Sequence, residues 1–321
     1  MTVTDSFHWR YLVLVPALVA LTLTAARADA EACAAADADA LAWLDKMSRS
    51  LQQVSYHGIV TFQRGDEVQA MQISHYIEDG VANERLTELT GHGAEVVRVD
   101  HPLDCVHPGN QLLQLGAALQ AGDCGVAQYY RFGVVDGELV AGRRAVRIRI
   151  EPRDMYRYGY VLELDQETGL LLKSATIGRG NKILESFQFA SLSYSGEVTA
   201  GDGTNVVHRA QHPEPGAGLL SLGGAHPAWT VNWLPQGFTA TDQPADVSMR
   251  RTYTDGLAVF SIFLEILSQD ITPGEGVVRN GGTISYTRGM HMSGMPVLVT
   301  VIGEVPLNTA RMVADSVTAV P

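Results

Sequence analysis

The spacing of apolar residues divides the chain into one early helix followed by a long series of strands. Between residues 41 and 54, apolar side chains recur at every third or fourth position, as they do along one face of an α-helix. Asp37 or Asp39 can cap the start of this helix. We therefore expect a helix whose apolar face packs on a core or lines a ligand cavity. That face comprises Leu41, Leu44, Met47, Leu51 and Val54.

From Tyr56 onwards the period changes to the two-residue alternation of β-strands. Turn residues separate these strands, beginning with Gly65-Asp66 and including Asp136-Gly137. Closely spaced strands without helices between them form an antiparallel meander rather than a parallel sheet. The predicted strands run over Tyr56–Phe62, Met71–Ile77, Val96–Val99, Tyr129–Val135, Ala145–Ile150, Tyr158–Leu164, Leu170–Ile177 and Ile183–Phe189.

Changes in composition and in the periodicity of apolar residues along the chain predict two domains. The first, residues 31–195, is expected to be a strongly curved sheet with helices across its concave side, the second helix being the leucine-rich segment Asn110–Ala121. Residues 196–228 are rich in Gly and Pro without a sustained period, which is typical of a linker. Residues 229–321 form a smaller α+β domain, in which Asp255-Gly256 is a strong hairpin signal. Its predicted elements are strands at Val247–Thr254, Leu257–Ile266, Thr283–Thr287 and Val297–Glu304, and a helix at Thr309–Val317.

The first thirty residues have the pattern of a cleavable secretory signal. Arg10 precedes an apolar run from Tyr11 to Leu23, and small residues follow up to Ala30. This run is too short to span a bilayer comfortably, although a retained anchor is the competing interpretation. We therefore expect residues 1–30 to be removed and the mature protein to be exported.

The three cysteines fit an exported protein. Cys105 and Cys124 can form a disulfide in an oxidising compartment if the fold brings their Cα atoms close together. Cys33 is left over as a free thiol, next to the predicted cleavage point. The cysteine spacing matches none of the usual CxxC metal patterns, so no metal site is predicted from it.

Composition and motifs argue against several classes of function. The formal net charge of -12 repels nucleic acid, and no zinc-finger, helix-turn-helix or RNA-binding signature is present. The sequence contains no G-x-S-x-G, H-E-x-x-H or Walker motif, so we expect neither an enzyme nor a cofactor. Thioethers and a histidine in Gly289–Met295 could suit Cu(I), but the edge of a strand would carry the same residues.

Six long runs of residues carry a resemblance to a known family. They are Glu95–Asp100, Pro152–Ser174 and Leu184–Phe189 in the first domain, and Trp233–Phe238, Asp255–Glu265 and Gly303–Ser316 in the second. Through these runs the chain resembles the MucB/RseB family, negative regulators of the envelope-stress sigma factor pathway of the sigma-E/AlgU type. The runs are most similar to the MucB branch, which regulates alginate production in pseudomonads and their relatives.

This resemblance implies both a fold and a function. The first domain would be a half-barrel around an apolar cavity, like the lipid-binding carriers LolA and LolB, and the second domain would contact an anti-sigma factor. The protein would act in the periplasm, binding a MucA/RseA-like partner and shielding it from the site-1 protease until a lipid or lipopolysaccharide-type ligand causes release. A lipid or lipoprotein carrier is the alternative, although a carrier of this fold would not need the second domain. The sequence is also compatible with a homo-oligomer.

Arginines and aromatic residues are the candidates for partner binding, because such residues dominate protein interfaces. The alternative is that Tyr158 and Tyr160 belong to an inward strand face, the arginines are solvated, and the tryptophan and phenylalanine pack as a turn anchor. The candidates are Arg153, Arg157, Tyr158, Trp233 and Phe238. Residues expected to line a lipid cavity are Leu44, Met47, Val60, Phe62, Ile73, Ile148 and Leu162, which could equally form a solid core.

Overall fold

The structure, a computed structural model, describes residues 37–78, 81–90, 95–98, 125–194, 228–241, 249–268 and 274–320. The predicted signal peptide, the predicted helix at Asn110–Ala121, nearly all of the predicted linker and all three cysteines, including the predicted Cys105–Cys124 pair, lie outside these residues. Within the described ranges, no helix has the length and hydropathy needed to cross a membrane.

The predicted first helix, α1 (Ala38–Gln53), is confirmed together with its cap. The carboxylate of Asp37 accepts hydrogen bonds from the backbone N–H groups of Asp39 at 3.0 Å and Ala40 at 3.4 Å. These bonds satisfy two of the four N–H groups that a helix start leaves without intrahelical partners. Among the helix side chains whose burial the structure describes, the buried stripe comprises Ala40, Leu44, Met47 and Ser50.

A nine-stranded antiparallel sheet forms the first domain, in the order β4-β3-β2-β1-β9-β8-β7-β6-β5. Strand β1 pairs with both β2 and β9, so the last strand of the series returns to the first. The strands are β1 (Tyr56–Arg64), β2 (Glu67–Glu78), β3 (Val81–Glu88), β4 (Glu95–Arg98), β5 (Tyr130–Val140), β6 (Arg143–Pro152), β7 (Gly159–Asp165), β8 (Leu171–Ile177) and β9 (Ile183–Ser193).

The turn predicted at Asp136-Gly137 is wrong. These residues lie inside β5, where the pairing with β6 shifts register between Asp136 and Leu139. The chain reverses instead at Ala141-Gly142, where both residues have positive φ. A Cβ atom on Gly137 would lie 2.6 Å from the carbonyl oxygen of Ala145, so glycine is needed there for close approach of two strands.

Strand β3 was not predicted, because its sequence VANERLTE lacks the alternation of apolar and polar residues that marks a half-buried strand. It pairs with β2 from Met71↔Glu88 to Glu78↔Val81. Its side chains from Asn83 to Glu88 are all partly buried, so neither face of the strand carries a recognisable pattern.

The second domain combines a six-stranded sheet, a two-stranded ribbon and one helix. The larger sheet has the order β11-β12-β13-β16-β15-β14, and β10 pairs with β17. The helix packs against β15 and β16. The elements are β10 (Trp229–Val231), β11 (Thr239–Ala240), β12 (Arg250–Thr254), β13 (Val259–Ile266), β14 (Glu275–Asn280), β15 (Thr283–Met292), β16 (Met295–Gly303), α2 (Leu307–Asp315) and β17 (Val317–Ala319).

The hydrophobic cores of the two domains are interlocked. The cluster beneath α1 contains Leu44, Met47, Ile148 and Leu162, and it also contains Leu257, which belongs to the second domain. Leu257 is 4% exposed. Because the second domain contributes a buried side chain to the core of the first, the two domains pack directly against each other.

Candidate binding site at the domain junction

The loop between β6 and β7 carries an arginine that joins the two domains. The side chain of Arg157 is completely buried, and its Nε donates to the Asp255 carboxylate at 2.5 Å. The same guanidinium donates to the carboxylate of Asp154 and to the backbone carbonyl of Gln236. Asp255 and Gln236 belong to the second domain, so one side chain from the first domain holds two separate segments of the second.

Aromatic rings surround this guanidinium. Its central carbon lies 4.7 Å from the ring centroid of Tyr129, 5.1 Å from that of Phe238 and 5.9 Å from that of Tyr130. The Tyr130 hydroxyl donates to Asp255 at 3.1 Å. Burial, followed by the nearby Asp255 charge, raises the pKa of Tyr130 well above its usual range, so this hydroxyl stays protonated as a donor.

Asp255 occupies the predicted hairpin turn, where its side chain has a second set of bonds. Its other carboxylate oxygen accepts from the backbone N–H groups of Leu257 at 2.9 Å and Ala258 at 2.8 Å. Aspartate favours such turns because its side chain can bond the backbone a few residues further on. The turn thus fixes the Asp255 carboxylate for Arg157 and directs Leu257 towards the core of the first domain.

Two further contacts extend the junction on either side. Gly237 has φ +91°, and a Cβ atom on it would lie 2.2 Å from the ring of Tyr129. On the other side, the start of α2 reaches the β6–β7 loop, where the Thr309 hydroxyl donates to the carbonyl of Tyr156 at 2.9 Å. The Tyr156 ring packs edge-on against Trp233 with centroids 5.2 Å apart.

The structure gives the five predicted partner-binding residues different surroundings. Arg153 is exposed, with its Nε donating to the carbonyl of Tyr130 at 3.3 Å, and Trp233 is half-buried. Arg157, Tyr158 and Phe238 are buried, so a partner docking on this arrangement does not reach them. The expectation that the arginines are solvated is therefore right for Arg153 and wrong for Arg157.

Most of the residues predicted to line a lipid cavity form packed cores. Leu44, Met47, Ile148 and Leu162 are fully buried in the cluster beneath α1. Val60 and Ile73 belong to a second buried cluster that includes Phe189. Phe62 is different, because it is 38% exposed and lines a groove of about 630 Å³ together with Met71 and Phe187.

Two glutamates from different domains line this same groove. The carboxylate of Glu185, on β9, lies 3.7 Å from Arg64 and accepts from the backbone N–H of Gly282 at 3.2 Å. Burial raises the pKa of Glu304, and the negative charge of Glu185 raises it further. The junction at this end therefore disfavours the ionised form of Glu304.

Replacing Glu304 with glutamine is expected to raise the melting temperature at neutral pH. A carboxyl whose pKa is raised on folding favours the folded state below its unfolded pKa, and this stabilisation is lost as the pH rises through the folded pKa. Glu304→Gln removes that loss, so the variant should gain stability at pH 7 and little at pH 4. Thermal denaturation at both pH values measures the difference. Glu265→Gln, at an exposed position on β13, is the control, and an equal gain there would contradict the explanation.

No group of three or more His, Cys, Asp or Glu side chains within the described ranges could hold a metal ion. The segment Gly289–Met295 forms the hairpin between β15 and β16, and Met292 is buried in the core of the second domain. The geometry of the junction is thus that of a packed and hydrogen-bonded scaffold with grooves at its surface.

Comparison with known proteins assigns both domains to one family. Residues 39–207 match the model of the MucB/RseB N-terminal domain, and residues 224–318 match that of the MucB/RseB C-terminal domain. The chain belongs to the MucB/RseB family. It is 35% identical over 291 residues to the sigma factor AlgU regulatory protein MucB of Pseudomonas aeruginosa, covering 86% of this chain and 89% of that protein. It is 24% identical over 297 residues to the sigma-E factor regulatory protein RseB of Escherichia coli, with coverage of 86% and 89%.

Solved structures confirm the predicted fold. A complex of Pseudomonas aeruginosa MucA and MucB matches with a TM-score of 0.69 at 31% identity, covering 88% of this chain and 100% of that chain. MucB in complex with MucA(peri) matches with a TM-score of 0.68 at 34% identity, with coverage of 88% and 99%. A crystal structure of MucB matches with a TM-score of 0.55 at 33% identity, with coverage of 88% and 99%.

Proposed function

We propose that the chain binds the periplasmic part of a MucA/RseA-like membrane anti-sigma factor and protects it from the site-1 protease. In this way it keeps the stress sigma factor inactive. The observation that carries the proposal is the match of both domains to a family whose relatives are named as sigma factor regulators. It is supported by the similarity of 88% of the chain to MucB in complex with MucA.

The interlocked domains suit a protein that shields a peptide. Protection from a protease requires that the cleavable segment be held in a conformation or position other than the extended one that proteases bind. A rigid surface does this at a lower entropic cost than a flexible one. The Arg157–Asp255 contact and the buried Leu257 supply that rigidity, and exposed residues around them, including Arg153, are available to the partner.

Release of the partner requires a ligand that binds the free and partner-bound states with different affinities. We propose a lipid or lipopolysaccharide-type ligand for this role. The groove beside Phe62 supports the proposal, because it exposes aromatic and thioether side chains to an apolar ligand at a point where both domains contribute residues. The predicted secretory signal and the predicted Cys105–Cys124 pair support a periplasmic location, where such ligands would report envelope damage.

The proposal is tested by mixing the purified mature chain with the periplasmic segment of the anti-sigma factor from the same organism. We expect the two to elute together from a size-exclusion column, because structures of the related MucB have been solved in complex with MucA. Elution of two separate peaks at concentrations well above those in the cell would contradict the proposal. The relatives support a regulator over a lipid carrier, since they are matched along both domains.

A further inference from the structure

A cationic groove of about 340 Å³ crosses the junction between β8–β9 of the first domain and α2 of the second. Two of its cations, Arg179 and Lys182, come from the first domain, and two, Arg279 and Arg311, come from the second. No Asp or Glu is among the lining residues. The floor between the cations is mainly apolar and consists of Tyr158, Leu184, Pro306 and Leu307.

The positive charge of this groove is largely uncompensated. Arg179, Lys182 and Arg279 are exposed, and the described part of the chain shows no ion pair for any of the three. Arg311 pairs with Glu275 at 3.1 Å, both side chains being about half exposed. A concentration of cations is unexpected on a chain whose formal net charge is -12, because random placement would surround them with carboxylates.

The backbone places these cations on fixed elements. Arg179 lies in the short 3-10 helix Arg179–Asn181, which is followed by Lys182, and the N–H of Gly178 donates to the Lys182 carbonyl at 2.8 Å to close this turn. Arg279 lies on β14, and Arg311 lies on α2. Helix α2 begins in the groove without a side-chain cap or an acidic residue in its first turn, so the positive end of its dipole adds to the field.

We propose that this groove binds an acidic segment of a polypeptide partner. Carboxylates of the segment would pair with the four cations, and an apolar side chain between them would pack against the partly exposed Leu307. The cations stand on three separate elements around an apolar floor, which suits several carboxylates spaced along a peptide. A single phosphate group would satisfy part of the charge and leave the floor uncovered.

This inference rests on the proposed function, because it names the chemistry by which the anti-sigma factor would be recognised. It also has a structural consequence. Since each domain supplies two of the cations, an acidic segment bound here contacts both domains and stabilises their present arrangement relative to any other. Binding of the partner and the orientation of the domains are therefore coupled.

The test is the charge reversal Arg179→Glu with Arg279→Glu, one cation from each domain, in the full mature chain. Both side chains are exposed without an ion pair among the described residues, so the variant should fold. The matched control is Arg131→Glu with Arg144→Glu, which changes the charge equally at exposed positions on β5 and β6. Calorimetry with the periplasmic segment of the anti-sigma factor from the same organism should show a dissociation constant raised at least about tenfold by the groove variant and little changed by the control.

Four outcomes overturn the inference, in distinguishable ways. If the wild-type chain does not bind the segment, the proposed function fails and the inference fails with it. If the wild type binds and the groove variant binds equally well, only the inference fails. Equal weakening by the groove variant and the control would show general charge attraction. Finally, inorganic phosphate or phosphatidylglycerol vesicles could bind the wild type. If the groove variant loses this binding but still binds the anti-sigma segment as the wild type does, the groove is a phosphate site.

Discussion

Replacing Arg157 with methionine is expected to lower the free energy of unfolding by about 3–5 kcal/mol, because it leaves a buried carboxylate without its partner. Asp255 would keep its bonds from Tyr130 and from two backbone N–H groups but would lose its only cation described in the structure. The carbonyl of Gln236 would lose its donor as well. Urea denaturation followed by tryptophan fluorescence measures the change.

Two further variants test whether the loss of stability comes from the broken Arg157–Asp255 pair. Arg153→Met removes an exposed arginine from the same loop, and we expect it to change stability by less than about 0.5 kcal/mol. Combining Arg157→Met with Asp255→Leu removes both charges, so the double variant should be more stable than the sum of the single effects implies. Additive effects in this cycle would mean that the two side chains contribute independently, which the contact at 2.5 Å does not allow.

Replacing Gly237 with alanine is expected to destabilise the junction by about 2–4 kcal/mol, since two costs combine. The backbone at φ +91° is unfavourable for any residue with a Cβ atom, and that atom would collide with the ring of Tyr129. Movement of Tyr129 to relieve the collision would disturb the stacking of its ring on Arg157. The effect should therefore reach beyond the turn in which Gly237 lies.

Gly142→Ala is the matched control for this substitution. Gly142 has φ +77°, but no atom lies within 4 Å of a Cβ placed on it, so only the backbone cost of about 1 kcal/mol remains. The difference between the two variants, measured by thermal denaturation, isolates the contact across the junction. Equal losses of stability in the two variants would show that the Tyr129 ring moves aside without cost. The close approach of Gly237 to Tyr129 would then contribute nothing to stability.

Local patterns in the sequence predicted much of the fold, because helices, caps and hairpins depend on neighbouring residues. The Asp37 cap and the hairpin at Asp255-Gly256 are examples. The turn predicted at Asp136-Gly137 was wrong, since glycine is favoured both in turns and where two strands approach closely. Strand β3 was missed because it has no clear apolar face.

The junction could not be predicted in this way. Arg157 and Asp255 are 98 residues apart, and nothing near either residue shows that the arginine is buried or paired. Leu257 looks like the beginning of a strand, yet it lies before β13 and packs into the other domain. Sequence patterns predicted two domains but not how the two pack against each other, since this packing depends on contacts between distant segments.

The proposed regulatory function is tested most directly by measuring whether the chain protects the anti-sigma factor from its first protease. The periplasmic segment of the anti-sigma factor from the same organism is incubated with the activated site-1 protease, with and without a saturating amount of the mature chain, and intact segment is followed over time. We expect cleavage to slow by at least about tenfold when the chain is present, because only unbound segment is a substrate. An unchanged cleavage rate, with binding verified in the same sample, would contradict it.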